Sequence, residues 1–323
     1  MVVFPIQVPT VSLVIPVFNE ELDTIIKLRE SIDKLESLLE GQYVLEKLVI
    51  DDGSKDSLRG VIKSQLPSDE NWTLVHFTRN FGKEAALRAG FEFSSGDAVI
   101  PLDADLQDPI ELIPRMLELW VQEDYPVVLA RRSDRASDKF SKRFFANTFY
   151  KLIGSISEIE IPNNVGDFRL LDRKVVTQLL RMPERNIFMK GMYAWLGYKF
   201  AIIEYPRQPR TNGKSKFSFS KLLKFALDGI VSFSSLPLRI WSGVGILVAI
   251  LSFTYSLVII ALKILGKIEI PGYSSLIVIS LSALSLNLIC FGVFGEYLSR
   301  MFIEIKGRPH FVVESIRKSE PTV

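Results

Sequence analysis

Two stretches of this 323-residue chain carry no charge, the 23 residues from Ile240 to Leu262 and the 26 from Ile270 to Gly295. A helix needs about 20 apolar residues to cross a bilayer core of about 30 Å, so each run is long enough. Two such runs in tandem restrict the chain to a transmembrane hairpin or a pair of long core helices. The connector, Lys263–Glu269, is too short to be a domain, so the hairpin reading puts both flanks on one side of the membrane. Lys221, Lys224 and Arg239 precede the first run and Arg300, Lys306 and Arg308 follow the second, against Lys263 and Lys267 between them. The positive-inside rule then predicts a multi-pass protein of the inner (cytoplasmic) membrane with both flanks and both termini in the cytoplasm. The opening MVVFPIQVPTVSLVIPVFNE has no basic region before its apolar stretch and no small-residue cleavage site, so it reads as a strand rather than a signal peptide.

Upstream of the runs, strands and helices alternate. Val11–Pro16 is a buried-strand pattern, followed by Leu22, Ile25, Ile26, Leu28, Ile32, Leu35 and Leu39 at helical spacing. EKLVI ends a second strand, NWTLVHF is a third, GKEAALRAGFEFSSG a helix with a glycine stop, DAVIPL a fourth strand, Ile110–Asp124 a helix and YPVVLARR a fifth strand. This alternation predicts an α/β domain around a doubly wound, mainly parallel sheet. Net charge of +2 implies no polyanionic partner such as nucleic acid, and a single cysteine, Cys290, excludes a disulfide framework. The two histidines, His76 and His310, lack metal-ligand spacing.

In sheets of this kind ligands bind beyond the carboxyl ends of the strands. Three polar clusters stand at such ends: Asn19–Glu20, Asp51–Ser54 and the DADLQD of Asp103–Asp108. They are either three unrelated surface turns or one site at one edge of the sheet. Carboxylates converging without histidine or cysteine suit a hard cation, Mg²⁺ or Mn²⁺, shared with substrate phosphates. Asp105 and Gln107 stand two apart, so on an extended segment their oxygens face the same way. There is no Walker loop, since Gly82-Lys83 is followed by Glu84 and Phe77 stands where the first glycine belongs. Gly243–Gly245 lies within the first apolar run, as helix packing rather than a dinucleotide fingerprint.

Taken together, VSLVIPVFNE, VIDDGSKD, RNFGKEAALRAGF, PLDADLQDP and GDFRLLDRKV resemble family-2 glycosyltransferases of GT-A fold. They are most similar to the polyisoprenyl-phosphate group, which includes dolichol-phosphate mannose synthase and bactoprenol glucosyltransferase. The likeness runs from about Val11 to Lys216, and the tandem runs match the group's membrane-anchored bacterial members. It implies a GT-A domain over 1–216, an amphipathic juxtamembrane helix over 217–239, two spans within 240–296 and a cytoplasmic tail over 297–323. It further implies a nucleotide pocket of Pro16, Asn19, Glu20 and Asp52, with Asp51 and Gly53 shaping its turn. Asp103 would face the nucleotide, while Asp105 and Gln107 would hold the metal that bridges the diphosphate. The implied reaction is inverting transfer of glucose from UDP-glucose to undecaprenyl phosphate. Related enzymes use GDP-mannose, UDP-N-acetylglucosamine or a formyl-aminoarabinose donor, and the motifs do not separate these.

A lipid phosphate monoester is largely dianionic near pH 7, its second pKa being about 6, so it needs positioning by cations rather than a base. Candidates are Arg131 and Arg132, taken to follow the last sheet strand, with Arg143, Arg169, Arg207, Arg210, Ser215 and Lys216. Gly213–Lys216 fits the family's G-x-S-K loop. For each basic residue the alternative is a solvated face or lipid head groups, preferred for Lys221 and Lys224. Asp167, grouped with Asp103 and Asp105 as catalytic, either orders Arg169 or faces the sugar. Phe140–Lys151 and Phe217–Phe233 interleave aromatic and basic residues as interfacial helices do, an ordinary core helix being the rival for the first. The group's members assemble through their membrane segments, which implies a homo-oligomer.

Two other functions compete. A processive polysaccharide synthase would carry Q-x-x-R-W just before a span, whereas QLLRM at Gln178–Met182 has methionine for tryptophan and lies far upstream. A non-catalytic scaffold would be betrayed by loss of Asp105 or Gln107, and both are present.

Overall fold

The structure, a computed structural model, describes residues 8–55, 60, 71–133, 165–185, 187, 189–206, 236–265 and 272–318. They group into two compact units, one built on a sheet and including the stretch from Arg308, the other holding two long helices.

In the first unit the strands are β1 (Thr10–Val17), β2 (Val44–Asp51), β3 (Trp72–Phe77), β4 (Ala98–Pro101), β5 (Val127–Arg132), β6 (Val165–Asp172), β7 (Phe200–Tyr205) and β8 (Val313–Lys318). They form one eight-stranded sheet in the order β7-β5-β6-β4-β1-β2-β3-β8. β1 pairs in parallel with both β2 and β4, β2 with β3, and β5 with β7. β6 is antiparallel to β4 and β5, and β8 is antiparallel to β3. The parallel centre is the expected one, and the antiparallel β6 and β8 make the sheet mixed.

The period of two in β1 explains the layering. Val11, Leu13 and Ile15 join Ile25 and Ile32 of α1 (Leu22–Leu39) and Ile113 of α3 (Ile113–Gln122) in a core on one face. Val14 joins Leu48, Ile50 and the Ala86, Leu87 and Phe91 of α2 (Lys83–Phe93) on the other, with Val176 of α4 (Arg173–Arg181) and Met192 of α5 (Met189–Trp195). A side chain on Gly90 of α2 would lie 2.0 Å from Val14 Cγ1, so only glycine lets this helix approach β1 so closely.

The sequence reading departs from the fold in two places. Arg131 and Arg132 lie within β5, and three further strands follow it. The stretch after the second apolar run, expected to trail as a tail, continues its helix to Lys306 and then returns to the sheet as β8. Phe311 arrives with it and stacks on Phe77 at 5.1 Å, while Val312 O accepts from Thr78 N–H at 3.1 Å.

In the second unit the long helices are α6 (Leu236–Ile264, 29 residues) and α7 (Tyr273–Lys306, 34 residues). Counted over the described residues alone, no helix is long and apolar enough to cross a membrane. Phe140–Lys151, Phe217–Phe233, Arg143, Arg207, Arg210, Ser215 and Lys216 lie outside the described residues.

Candidate active site

The site stands where β1, β2 and β4 end, as parallel strands with buried flanks require. A cavity of about 250 Å³ is lined by Pro16 and Val17 at the end of β1, Phe18 and Glu20 after it, Asp52 after β2, and Asp103, Ala104 and Asp105 after β4. Asn80, Gly82, Lys83 and Ala86, from the loop before α2 and its first turn, complete the lining.

Asp51 and Asp52 divide the work of their turn. Asp51 is fully buried, its Oδ2 2.8 Å from His76 Nδ1 and its Oδ1 accepting from Ser54 N–H at 3.0 Å. Burial alone would raise its carboxyl, but these bonds outweigh it and hold it below its ordinary value. Asp52 is 3% exposed; its Oδ1 accepts from Phe81 N–H at 2.6 Å, and its Oδ2 from Gly82 N–H and Asn80 Nδ2, both at 2.9 Å. It therefore clamps the entry to α2 while presenting one side to the cavity. Gly53, directly after them, takes φ +72°, and a Cβ there would meet Arg79 C at 2.3 Å, so the DDG turn requires glycine. Asn19, at φ 52°, fastens the β1 exit to the same turn: its N–H donates to Ser54 Oγ at 2.9 Å and its Oδ1 accepts from Lys55 N–H at 3.1 Å. Asn19, Asp51 and Gly53 thus build the wall rather than line the cavity.

Asp103–Leu106 is a turn, not an extended segment. Leu106 has φ 54°, Leu106 N–H donates to Asp103 O at 3.3 Å, and Gln107 N–H to Asp105 Oδ1 at 3.2 Å. The same-side argument for Asp105 and Gln107 therefore fails: Asp103 and Asp105 are among the cavity-lining residues and Gln107 is not. Negative charge accumulates there. Glu20 is raised by burial and by Asp105 and Asp103. Asp108, 6% exposed, is pushed up to about 6 by burial and by Asp103.

A lysine answers the part of that charge nearest the cavity. Lys83 Nζ lies 2.7 Å from Asp103 Oδ1 and 2.7 Å from Asp167 Oδ2. Burial opposes its charge, yet the two carboxylates outweigh that and keep the ammonium charged well above the ordinary lysine range. Asp167 is thereby brought to the site from β6, and Lys83 joins it although the sequence analysis assigned it no role. The only sequence signal was its place at the start of a helix beside a strand-exit cluster.

The arginines are drawn elsewhere. Arg131 is ion-paired to Glu204 of β7. Arg132 Nε donates to the Tyr205 hydroxyl at 3.0 Å and its Nη2 stands 3.5 Å from Asp108 Oδ1, beside the acidic turn. Arg169 is 4% exposed, donates from Nη2 to Gly166 O and lies over the Tyr193 ring at 4.0 Å.

The fit of a divalent cation can be tested on these residues. The donors are hard oxygens whose mutual repulsion a cation would relieve, while among the described residues no group of three His, Cys, Asp or Glu side chains could hold a metal. Mg²⁺ or Mn²⁺ can be held by one or two carboxylates and completed by substrate phosphates. Asp105 and Asp103 fit that arrangement, and Gln107 is not among the cavity-lining residues.

A mixed α/β sheet with an acidic turn at the exit of a central parallel strand defines a ligand site of the open-sheet kind, beyond the carboxyl ends of the strands. The sequence profile of glycosyl transferase family 2 matches residues 12–180, and the chain belongs to that family. Among relatives it is 45% identical, over 96% of this chain and 99% of the other, to the SfII prophage-derived bactoprenol glucosyl transferase of Shigella flexneri. To the prophage bactoprenol glucosyl transferase homolog of Escherichia coli K12 it is 46% identical over 95% and 99%. An uncharacterised glycosyltransferase of Synechocystis is 44% identical over 94% and 95%.

Proposed function

We propose that this chain transfers glucose from UDP-glucose to undecaprenyl phosphate, with inversion, at the cytoplasmic face of the inner membrane. The observation that carries the reading is near-full-length identity of 45–46% to two proteins named as a bactoprenol glucosyl transferase and its homolog. The cavity agrees with it, because its acidic exits suit a donor that arrives with a cation. Pro16, Glu20 and Asp52 would receive the uridine, and Asp103 and Asp105 would hold the metal. The metal would neutralise charge building on the departing diphosphate.

The rest follows from the residues present. The acceptor is a dianion, so attack needs orientation and exclusion of water rather than proton removal. Arg132, beside the acidic turn, is the described candidate for the acceptor phosphate; Arg143, Arg207, Arg210, Ser215 and Lys216 remain candidates by family likeness. The two long uncharged runs of the sequence are what supports a membrane-held, lipid acceptor. At 1.5 Å per residue, the 29 residues of α6 and 34 of α7 exceed a bilayer core in length, and the uncharged runs fall within 240–262 and 270–295.

The test is a transfer assay on detergent-purified protein, offering undecaprenyl phosphate with labelled UDP-glucose, UDP-N-acetylglucosamine, GDP-mannose or UDP-formyl-aminoarabinose. Labelled lipid from UDP-glucose alone, lost with chelator and with Asp105→Ala, is expected. Label from another donor keeps the reaction and discards glucose; no lipid product from any donor discards the acceptor.

A further inference from the structure

Transfer to a phosphate redistributes charge in a definite way. The acceptor phosphate oxygen forms a bond to the anomeric carbon while that carbon's bond to the diphosphate oxygen breaks, the electron pair leaving with the diphosphate. A dianionic acceptor becomes a monoanionic diester, and the nucleotide departs with one more negative charge than it brought; no proton need move. The group in demand is thus a cation at the diphosphate, not a base at the acceptor.

Among the described residues lining the cavity, Lys83 is the one cation, set among Glu20, Asp52, Asp103 and Asp105. Its position is fixed from two sides. The main chain before it is held by Asp52, which accepts from Phe81 and Gly82 N–H. Its ammonium is held by Asp103 and by Asp167 Oδ2, each at 2.7 Å. The side chain keeps 42% of its surface open, so it can meet a ligand without being rebuilt. Asp167 is 18% exposed, and its Oδ1 is buried without a partner. Burial opposes its charge, but Lys83, Lys190 and Arg169 outweigh it and hold its carboxyl below the ordinary aspartate value. Such a group is a poor proton acceptor and a good anchor for a cation.

We propose that Lys83 is a catalytic residue, its ammonium donating to the departing diphosphate, and that Asp167 is the positioning residue that aims it. This rests on the reaction proposed above. The lysine would give up Asp103 to the incoming ligand and keep Asp167.

The experiment uses the full chain in detergent with Mg²⁺. Calorimetry measures UDP and UMP binding to wild type, Lys83→Met, Lys83→Arg and Asp167→Asn, alongside transfer rates. Lys83→Met should weaken UDP at least about tenfold, leave UMP within about twofold and lower kcat about 100-fold. Lys83→Arg should recover most of the UDP affinity. Asp167→Asn should lower kcat about tenfold without altering the pH profile, and should add nothing to Lys83→Met. The proposal is overturned if Lys83→Met binds UDP like wild type, if it loses UMP equally, or if the two substitutions multiply. Wild type that binds UDP yet forms no glycolipid would overturn the proposed reaction, while the UDP–UMP comparison would still decide the contact of Lys83.

Discussion

Glu84 follows Lys83 but is not among the cavity-lining residues. It accepts a hydrogen bond from Met189 N–H, its Oε2 is buried without a partner, and burial, then Asp167, pushes its carboxyl up to about 7. A carboxyl whose folded value lies above its unfolded one contributes stability that is full below about 4.5 and lost as pH rises through about 7. Glu84→Gln should therefore raise the thermal midpoint at pH 8 and change it little at pH 5, the difference amounting to roughly 2–3 kcal/mol. A melt series across that range checks it. Asp52→Ala should cost about 2–4 kcal/mol, since it strands three donors of the Asn80–Gly82 loop. At this scale the sequence was informative where chemistry is local. Glu20, Asp52, Asp103 and Asp105 were legible because polar residues at the ends of apolar strands have few other uses. Lys83 was not, because its meaning depends on Asp167, 84 positions away. Arg131 and Arg169 read as free cations because sequence does not reveal Glu204 across β5–β7 or the Tyr193 ring.

Among the elements, the approach of α2 to β1 is the tightest fit described. Gly90→Ala places a methyl against Val14 and should destabilise by about 1–3 kcal/mol. Gly90→Ala with Val14→Ala should cost less than the sum of the single changes, because the second vacates what the first invades. Thermal midpoints of the four proteins decide it. The strands β1 to β5 were legible because alternating strand and helix patterns are how a parallel sheet must be written. β6 and β8 were not placed by the same logic, because an antiparallel strand can insert from anywhere in the chain. β8 is also mostly exposed with three charged residues among its six, so its hydrophobic signal is faint. Phe311→Ala, which removes the stack on Phe77, should lower the midpoint by the equivalent of about 1–3 kcal/mol.

For the whole molecule, the fold makes the two long helices an insertion between β7 and β8 rather than an appendage. A chain joining residues 1–216 to 308–323 through a long Gly/Ser linker should stay in solution without detergent and bind UDP. The same chain lacking 308–323 should melt several degrees lower, with the edge of β3 unpaired. Gel filtration and a thermal scan read both outcomes. The pairing of β8 with β3 also sets an order of events during synthesis. A ribosome makes β3 early and β8 only after both helices have left it, so one edge of the sheet stays open until then. The last strand of the catalytic unit is therefore added only after both apolar runs have been made, so the sheet is the last part of the molecule to close although it is the first to begin.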